Sequence, residues 1–295
     1  MAEVFNESTL LFVAVVFAFC LVIGSFLNVV IYRLPIMMER DWRAQCEEIT
    51  KSPPEYELPE GRFDLVAPRS RCPSCGNAIK AWQNVPVISY LLLGGKCANC
   101  KESISARYPA VELLTAILAG LCAWRFGFGW EAGMAVVMTL ALVPIAMIDA
   151  ETQLIPDSIV LPLMWVGLAM SLYHPMAGAD TLFISPQDAI VGAMAGYLSL
   201  WTVYQLFKLI TGKDGMGYGD FKLLAALGAW LGWQTLPLII LMSAVVGAIV
   251  GIALMAFRRH ERSVPIPFGP YLAAAGWITM LWGDVIRNTY LDTML

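Results

Sequence analysis

The stretch LLFVAVVFAFCLVIGSFLNVVI, residues 10–31, contains 22 residues and no charged side chain. As a helix it would rise about 33 Å, which is enough to cross the roughly 30 Å hydrocarbon core of a bilayer. In the whole 295-residue chain, 58% of residues are hydrophobic and 14% are charged, whereas soluble domains carry about 25% charged residues. This composition excludes a soluble enzyme, a secreted disulfide scaffold and a disordered chain. The sequence predicts an all-α polytopic integral membrane protein.

Seven further apolar runs follow the first, and together they predict about eight transmembrane helices. The sixth run has only 13 residues, or roughly 20 Å of helix. We therefore expect it to tilt into the protein or to lie beside a water-filled cavity. The eight predicted segments are 10–31, 109–126, 131–148, 157–173, 189–207, 221–233, 236–257 and 270–286.

The positions of Lys and Arg predict the orientation. No Lys or Arg precedes the first segment, whereas Arg33, Arg40 and Arg43 follow it. With eight spans, 17 of the 19 Lys and Arg residues fall on one side of the membrane, and the positive-inside rule identifies that side as cytoplasmic. We therefore expect the amino terminus outside and the long loop after the first segment in the cytoplasm.

That loop is the most polar part of the chain. Residues 32–107 hold 20 of the 42 charged residues, and the prolines of residues 51–68 indicate an extended connector within it. The sequence predicts three parts: an amino-terminal transmembrane helix (1–31), a cytoplasmic module (32–107) and a multi-helix membrane domain (108–295).

Two cysteine pairs lie in the cytoplasmic module, Cys72-Pro-Ser-Cys75 and Cys97-Ala-Asn-Cys100. Paired C-x-x-C units supply four thiolates to one tetrahedral ion, which leaves no open position for catalysis. Disulfides are rare on the cytoplasmic side of a membrane. We therefore predict a structural Zn²⁺ that helps a small module to fold, with redox pairs or an iron–sulfur cluster as the alternatives.

Two aspartates close to predicted helix ends are candidate catalytic residues. Asp149 follows the apolar run 140–148, and Asp220 follows Gly217 and Gly219, which let the backbone approach a substrate or a second helix closely. Both are expected at the cytoplasmic face. Two neighbouring carboxyl groups that share one proton can activate water for peptide hydrolysis. Asp220, like Asp157 after Pro156, also fits a simple helix cap, and an ion-coupled transporter with a regulatory zinc module would use the same carboxylates.

Other protease classes find no support in the sequence. Neither G-x-S-x-G nor H-E-x-x-H occurs, so the motifs of α/β-hydrolase-type serine enzymes and of zinc proteases are missing. The two histidines, His174 and His260, fall in predicted loops on opposite sides of the membrane. A serine or zinc protease is therefore disfavoured, and a catalytically idle assembly scaffold is a second rival beside the transporter.

Seven stretches, in one order along the chain, resemble the bacterial type IV prepilin peptidases, a bifunctional leader peptidase and N-methyltransferase family with a G-x-G-D element. That family has its catalytic aspartates at the positions of Asp149 and Asp220. The resemblance implies cleavage of the basic leader of type IV prepilins and pseudopilins after a glycine, at the cytoplasmic face of a bacterial inner membrane. It also implies methylation of the new amino terminus with S-adenosylmethionine. The matching stretches are 24–35, 68–75, 88–97, 107–113, 149–157, 217–223 and 267–272.

No glycine-rich nucleotide fingerprint marks a site for S-adenosylmethionine. Gly94, Gly95 and Lys96 lie directly before the second cysteine pair, and the two glycines can let a cofactor approach the backbone. The alternative is that these glycines only form the turn that leads into the metal site.

Arg107 and Glu112 are further candidates for orienting the methyl donor. Glu112 and Asn28 are polar residues within apolar segments, and each also fits a hydrogen bond that only bridges two helices. The expected partners are prepilins, pseudopilins and the lipid bilayer, with no nucleic acid among them.

Overall fold

The computed structural model of the protein describes residues 5, 8–50, 61–173, 184–258 and 267–294. Within these ranges the chain is helical, with two isolated β-bridges and no strand. The all-α prediction is confirmed for this part of the chain. His174, His260 and residues 51–60 of the predicted connector lie outside the described residues.

Nine α-helices occur in the described ranges, and we number them in chain order. They are α1 (Thr9–Thr50), α2 (Ile88–Leu92), α3 (Arg107–Phe126), α4 (Trp130–Thr152), α5 (Asp157–Ser171), α6 (Pro186–Thr211), α7 (Tyr218–Leu231), α8 (Leu236–Arg258) and α9 (Gly269–Met294). Short 3₁₀ helices add Ala81–Asn84 and Trp233–Thr235.

Among the described residues, five helical stretches are long and apolar enough to cross a membrane. They are Thr9–Cys46, Arg107–Phe126, Trp130–Thr152, Pro186–Thr211 and Trp233–Ala253. The predicted segments 157–173, 221–233 and 270–286 correspond to α5, α7 and α9, which do not meet the same measure of length and hydropathy. The chain is thus a helical membrane protein, and the count of eight spans stays a prediction.

Helix α1 continues far beyond the predicted apolar segment. Its 42 residues extend through Pro35 to Thr50, or about 63 Å. The polar part contains strong helix formers such as Met, Glu, Arg and Ala, and Arg43 forms an i,i+4 ion pair with Glu39 at 2.7 Å. The predicted boundary at residue 31 therefore marks the end of the apolar stretch and not the end of the helix.

The chain forms two compact units, residues 1–128 and 129–295. In the first unit, α1 packs against α3 through Gly24, where an added Cβ would lie 2.9 Å from the Cα of Glu112. One helical turn away, Asn28 Nδ2 donates a hydrogen bond of 3.0 Å to the carbonyl of Tyr108. The bridging role considered for Asn28 is therefore confirmed. The three-part division predicted from the sequence stays a prediction.

The second unit is built around α7, whose residues 220–231 are all buried except Lys222. Its backbone touches that of α6, because an added Cβ at Gly192 would overlap the carbonyl oxygen of Gly228. On the α5 side, the ring of Trp230 covers Gly167 and its Nε1 donates a 2.7 Å hydrogen bond to the carbonyl of Leu163. Residues 223–231 of this 14-residue helix can therefore be apolar on every face, since neighbouring helices pack around them.

Candidate active site and metal centre

Asp149 lies in the last turn of α4 and is buried, with 5% of its surface exposed. Its Oδ2 accepts a hydrogen bond of 2.9 Å from the backbone N–H of Gly269, the first residue of α9. Free N–H groups at a helix start interact favourably with a carboxylate. The start of α9 therefore fixes the carboxyl group of Asp149.

Asp220 lies in the first turn of α7 and is also buried. The cap residue of this helix is Gly217, and its backbone N–H donates to the carboxyl group of Asp220. Among the described residues, Oδ1 of Asp220 is buried and has no hydrogen-bond partner. Asp220 is thus not the helix cap considered from the sequence, and its free oxygen is what a proton, a water molecule or a peptide group would satisfy.

The fold of the second unit places the two aspartates near enough for their charges to interact. Ile155 lies against the backbone beside each of them. An added Cβ at Gly219 would be 2.7 Å from the Cβ of Ile155, and one at Gly269 would be 3.1 Å from its Cδ1. Close packing of Ile155 against two glycines therefore links the α7 start to the α9 start.

Gly217 and Gly219, predicted to support the site, have different local roles. Gly219 allows the close approach of the segment between α4 and α5, which contains Ile155. Gly217 has an ordinary φ of −78°, and an added Cβ would make only a 3.8 Å contact with Asp220 Oδ2. Its contribution is the backbone N–H that reaches the carboxyl group.

Asp157, the first residue of α5, pairs with Lys222 on α7. The ammonium group lies 2.7 Å from both carboxylate oxygens, and both side chains are partly exposed. A pair of this kind contributes about 0–1 kcal/mol to stability. This ion pair links the start of α5 to Lys222 of α7, which follows Asp220 by two residues.

The four predicted metal ligands, Cys72, Cys75, Cys97 and Cys100, lie together in the first unit. Their sulfur atoms are all within 4.8 Å of one another, and those of Cys72 and Cys100 are 3.8 Å apart. Tetrahedral zinc with bonds of about 2.3 Å requires sulfur atoms about 3.8 Å apart. The four thiols therefore fit a single metal ion of zinc's size.

The two cysteine loops have the same backbone structure at an offset of 25 residues. In residues 70–79 the N–H of Gly76 bonds to the carbonyl of Cys72, and in residues 95–104 the N–H of Lys101 bonds to the carbonyl of Cys97. Gly76 and Lys101 have nearly equal positive φ values of 67° and 62°. The internal repeat was hidden in the sequence because a lysine occupies the position where the first loop has glycine.

Hydrogen bonds and neighbouring sulfur atoms shift the pKa values of Cys97 and Cys100 in opposite directions. Backbone N–H groups of Cys100 and Asn99 donate to the sulfur of Cys97 and lower the pKa of its thiol to about 6. The backbone N–H of Glu102 lowers the pKa of Cys100, but desolvation and the neighbouring sulfur atoms outweigh it and raise that pKa to about 12. Four sulfur atoms this close need a cation before all of them can ionise, and a bound metal supplies it.

The residues suggested for the methyl donor lie at the two ends of α2 and at the start of α3. Gly94 and Gly95 have positive φ values of 61° and 67°, and their N–H groups bond back to the carbonyls of Leu91 and Tyr90. They form the turn that ends α2 and leads to the second cysteine loop. An added Cβ at Gly94 meets nothing within 4 Å, whereas one at Gly95 would be 2.9 Å from the Tyr90 hydroxyl.

Glu112 is buried in α3 and reaches the other end of α2. Its Oε2 accepts a 2.8 Å hydrogen bond from the backbone N–H of Val87, and its carboxyl group also accepts one from Ser25 on α1. The helix-bridging role considered for Glu112 is therefore present, and it includes α2. Arg107 is half-buried at the start of α3, and Lys96 is exposed after the glycine turn.

Comparison with known proteins identifies the family. The family model of the bacterial peptidase A24 N-terminal domain matches residues 18–126, and that of the type IV leader peptidase family matches residues 136–252. The chain belongs to the type IV leader peptidase family. No solved structure matches it.

Relatives in this family match nearly the whole chain. A prepilin leader peptidase/N-methyltransferase of Stutzerimonas stutzeri is 54% identical over 291 residues, which are 98% of this chain and 97% of the relative. Proteins of the same name from Pseudomonas aeruginosa and Dichelobacter nodosus are 56% and 48% identical, each over 92% of this chain and 91% and 92% of the relative. The suspected family is confirmed, and the transporter alternative is not favoured.

The two family matches divide the candidate sites between them. The N-terminal match contains the four cysteines and the residues around α2, whereas the leader peptidase match contains both aspartates. Gly269 lies beyond the second match, and sequence reasoning missed it as a partner of Asp149. Its position between two prolines at a helix start is the one local signal that could have drawn attention to it.

Proposed function

We propose that this protein cleaves the leader of type IV prepilins and pseudopilins and then methylates the new amino terminus with S-adenosylmethionine. Its relatives are prepilin leader peptidase/N-methyltransferases at about half identity over nearly the whole chain. The observation that carries the peptidase half is a pair of buried, interacting carboxyl groups at the ends of two helices. Both activities serve type IV pilus assembly, type II secretion or both.

For the cleavage step we assign Asp149 and Asp220 as the catalytic residues. Two carboxyl groups that share one proton act as a base and an acid in the same step. The ionised group removes a proton from water, the water oxygen attacks the peptide carbonyl, and the protonated group delivers its proton to the leaving amine. The free Oδ1 of Asp220 and the oriented carboxyl group of Asp149 support this assignment, and the pair titrates as a unit.

For the metal centre we assign a structural Zn²⁺ to Cys72, Cys75, Cys97 and Cys100. Sulfur separations that fit a tetrahedral ion support zinc. Because all four positions are occupied by protein, the ion would stabilise the module and take no part in bond breaking. The matched pair of cysteine loops positions its ligands.

For the membrane arrangement we propose eight spans in a bacterial inner membrane, with the amino terminus outside. The distribution of Lys and Arg supports this orientation. It leaves the zinc module and both aspartates on the cytoplasmic side. A prepilin would then present its apolar helix from the bilayer and its basic leader from the cytoplasm.

For methylation we propose residues 32–107 as the methyltransferase region. The backbone at Gly94 is open to a ligand, and Lys96, Arg107 and Glu112 offer charged groups around α2 and the start of α3. S-adenosylmethionine would supply an activated methyl group to the free amine produced by cleavage. The role of this chain is to hold the donor and to keep that amine unprotonated and aligned.

One incubation tests both halves. Purified enzyme in detergent is mixed with a prepilin and S-adenosylmethionine, and the product is measured by intact mass spectrometry. We expect loss of the leader together with a gain of one methyl group, and loss of the leader alone when S-adenosylmethionine is omitted. The positive control is an active, metal-loaded preparation of a relative. A prepilin that the control cleaves and this protein leaves unprocessed would contradict the proposal.

A further inference from the structure

The longest uncharged stretch of the polar module has 15 residues. Residues 81–95, AWQNVPVISYLLLGG, lie between Lys80 and Lys96. Its most apolar part, residues 85–93, is too short to span a bilayer, and short apolar runs occur as buried core helices or as re-entrant or interfacial segments. The stretch includes α2 and the glycine turn after it.

Contacts with α1 show how far along the axis of that helix other parts of the module lie. Arg33 is the first charged residue after the apolar part of α1. Its guanidinium donates to the carbonyls of Asp64 and Pro68 at 2.7 Å and 2.6 Å. Residues 64–68 therefore lie at the level of Arg33, at the edge of the apolar segment.

The uncharged stretch reaches a deeper level. Val87 donates to Glu112, and Glu112 contacts Gly24 and bonds to Ser25 on α1. Ser25 precedes Arg33 by eight residues, which is about 12 Å along the helix. Val87 is therefore displaced from Arg33 by on the order of 10 Å toward the middle of the apolar segment.

At this depth α2 exposes large apolar side chains. Ile88 is 58% exposed, Leu91 70% and Leu92 77%. Both α1 and α3 are long and apolar enough to span a membrane, so a segment beside this part of them is expected at the depth of the acyl chains. The two flanking lysines have long side chains that can reach anionic headgroups while their stems stay in apolar surroundings.

We propose that residues 85–93 enter the lipid leaflet on the module's side of the bilayer, with Ile88, Leu91 and Leu92 among the acyl chains and Lys80 and Lys96 at the headgroups. The segment then holds the zinc module against the membrane surface. A consequence for methylation rests on the proposed function. The Gly94–Lys96 turn would lie at the lipid surface, where the new amino terminus of a membrane-anchored pilin emerges.

The test compares two exposed apolar positions in the full-length protein. An environment-sensitive fluorescent amino acid replaces Leu92 or, as a control, Val66, which is 79% exposed and lies at the level of Arg33. The protein is reconstituted in vesicles of phosphatidylethanolamine and phosphatidylglycerol that contain lipids spin-labelled near the top of the acyl chain. We expect blue-shifted emission at position 92 and quenching at least about 3-fold stronger than at position 66, as for a segment buried about 5–10 Å in the interface.

Equal quenching at the two positions would overturn the proposal, because α2 would then lie no deeper than the Arg33 level. A blue shift at position 92 without lipid quenching would also overturn it and assign the apolar face to a second chain or to another protein segment. Bound zinc and leader cleavage are measured on each labelled protein. If the position-92 variant loses metal, the label is moved to Leu91, which is 70% exposed and makes the same prediction.

Discussion

The backbone N–H of Gly269 lies 2.9 Å from Oδ2 of Asp149, although 120 residues separate the two along the chain. A side chain at position 269 has no room, because its Cβ would be 2.6 Å from the same oxygen. The start of α9 therefore orients one member of the carboxyl pair through a donor that only a residue without Cβ can bring so close. Glycine is required here for space, and the N–H for orientation.

Gly269→Ala is expected to lower kcat for leader cleavage by on the order of 100-fold, because a shift of about 1 Å at a catalytic group has such an effect. The added methyl group must push the Asp149 carboxyl group away from its position beside Asp220. KM for the prepilin should change little, since Gly269 contacts the aspartate. The measurement is steady-state cleavage by purified enzyme, with the thermal unfolding temperature recorded in parallel.

Gly133→Ala is the matched control for that substitution. Gly133 lies in α4, the helix that carries Asp149, and an added Cβ meets nothing within 4 Å. Its cleavage rate should stay within about 2-fold of wild type, since alanine is a better helix former than glycine. Wild-type kcat in folded Gly269→Ala protein would show that the hydrogen bond does not position Asp149.

Asp149→Asn and Asp220→Asn should each lower cleavage by on the order of 1,000-fold or more, because either change removes a group that must exchange a proton with the reactants. Folding should survive, since asparagine keeps the size of the side chain. The control is Asp284→Asn, an exposed aspartate of α9. Rapid leader cleavage by either dyad variant, measured by mass spectrometry of the prepilin, would reject the two-aspartate mechanism.

Scarcity of charge made both aspartates and the cysteine pairs visible in the sequence. Acids are rare in the apolar part of this chain, so Asp149 and Asp220 stood out at helix ends, and the spacing of the cysteines indicated one four-sulfur site. These signals are local, because each depends on residue types within a short segment. The structure brings the four cysteines within reach of one ion and places the two aspartates near each other.

Contacts that depend on a backbone group or on the absence of a side chain could not be predicted in the same way. Gly269 acts through an N–H and the absence of a side chain, and its partner is brought to it only when α9 packs against α4. Burial of α7 depends likewise on the meeting of Gly192 and Gly228 in different helices. Such contacts leave no chemical mark in the sequence, since a glycine in a turn and a glycine in a helix contact are the same letter.

Gly192→Ala should destabilise the protein by about 1–3 kcal/mol, as overpacking of a tight core does. An added Cβ would overlap the Gly228 carbonyl and force α6 away from α7. The control is Gly120→Ala in α3, where the nearest contact of an added Cβ is an ordinary 3.8 Å. Unfolding in detergent, followed by tryptophan fluorescence, should show a lower midpoint for the first variant alone.

Metal content gives a separate prediction for the cytoplasmic module. Purified protein should contain about one zinc per chain, and the double change Cys72→Ser with Cys97→Ser should abolish it, since the remaining two thiolates cannot close a tetrahedral site. Cys46→Ser, at an exposed cysteine outside the cluster, should leave the metal in place. Elemental analysis measures the zinc and iron content per chain. Iron in stoichiometric amount, or a folded wild type without metal, would contradict the zinc assignment.

Two substitutions at Glu112 can distinguish a structural role of this residue from a role in orienting the methyl donor. Glu112→Gln keeps an oxygen that can accept from the Val87 N–H but removes the charge, whereas Glu112→Leu removes both. If the charge orients S-adenosylmethionine, the glutamine variant should lose methylation by about 10-fold or more, with a higher KM for the donor, because a hydrogen bond to a charged group contributes about 1.5–3 kcal/mol. Leader cleavage, which depends on the other unit, should stay within about 2-fold in the same preparation. Normal methylation by Glu112→Gln, with loss only in Glu112→Leu, would show that Glu112 serves solely to hold α2 against α3.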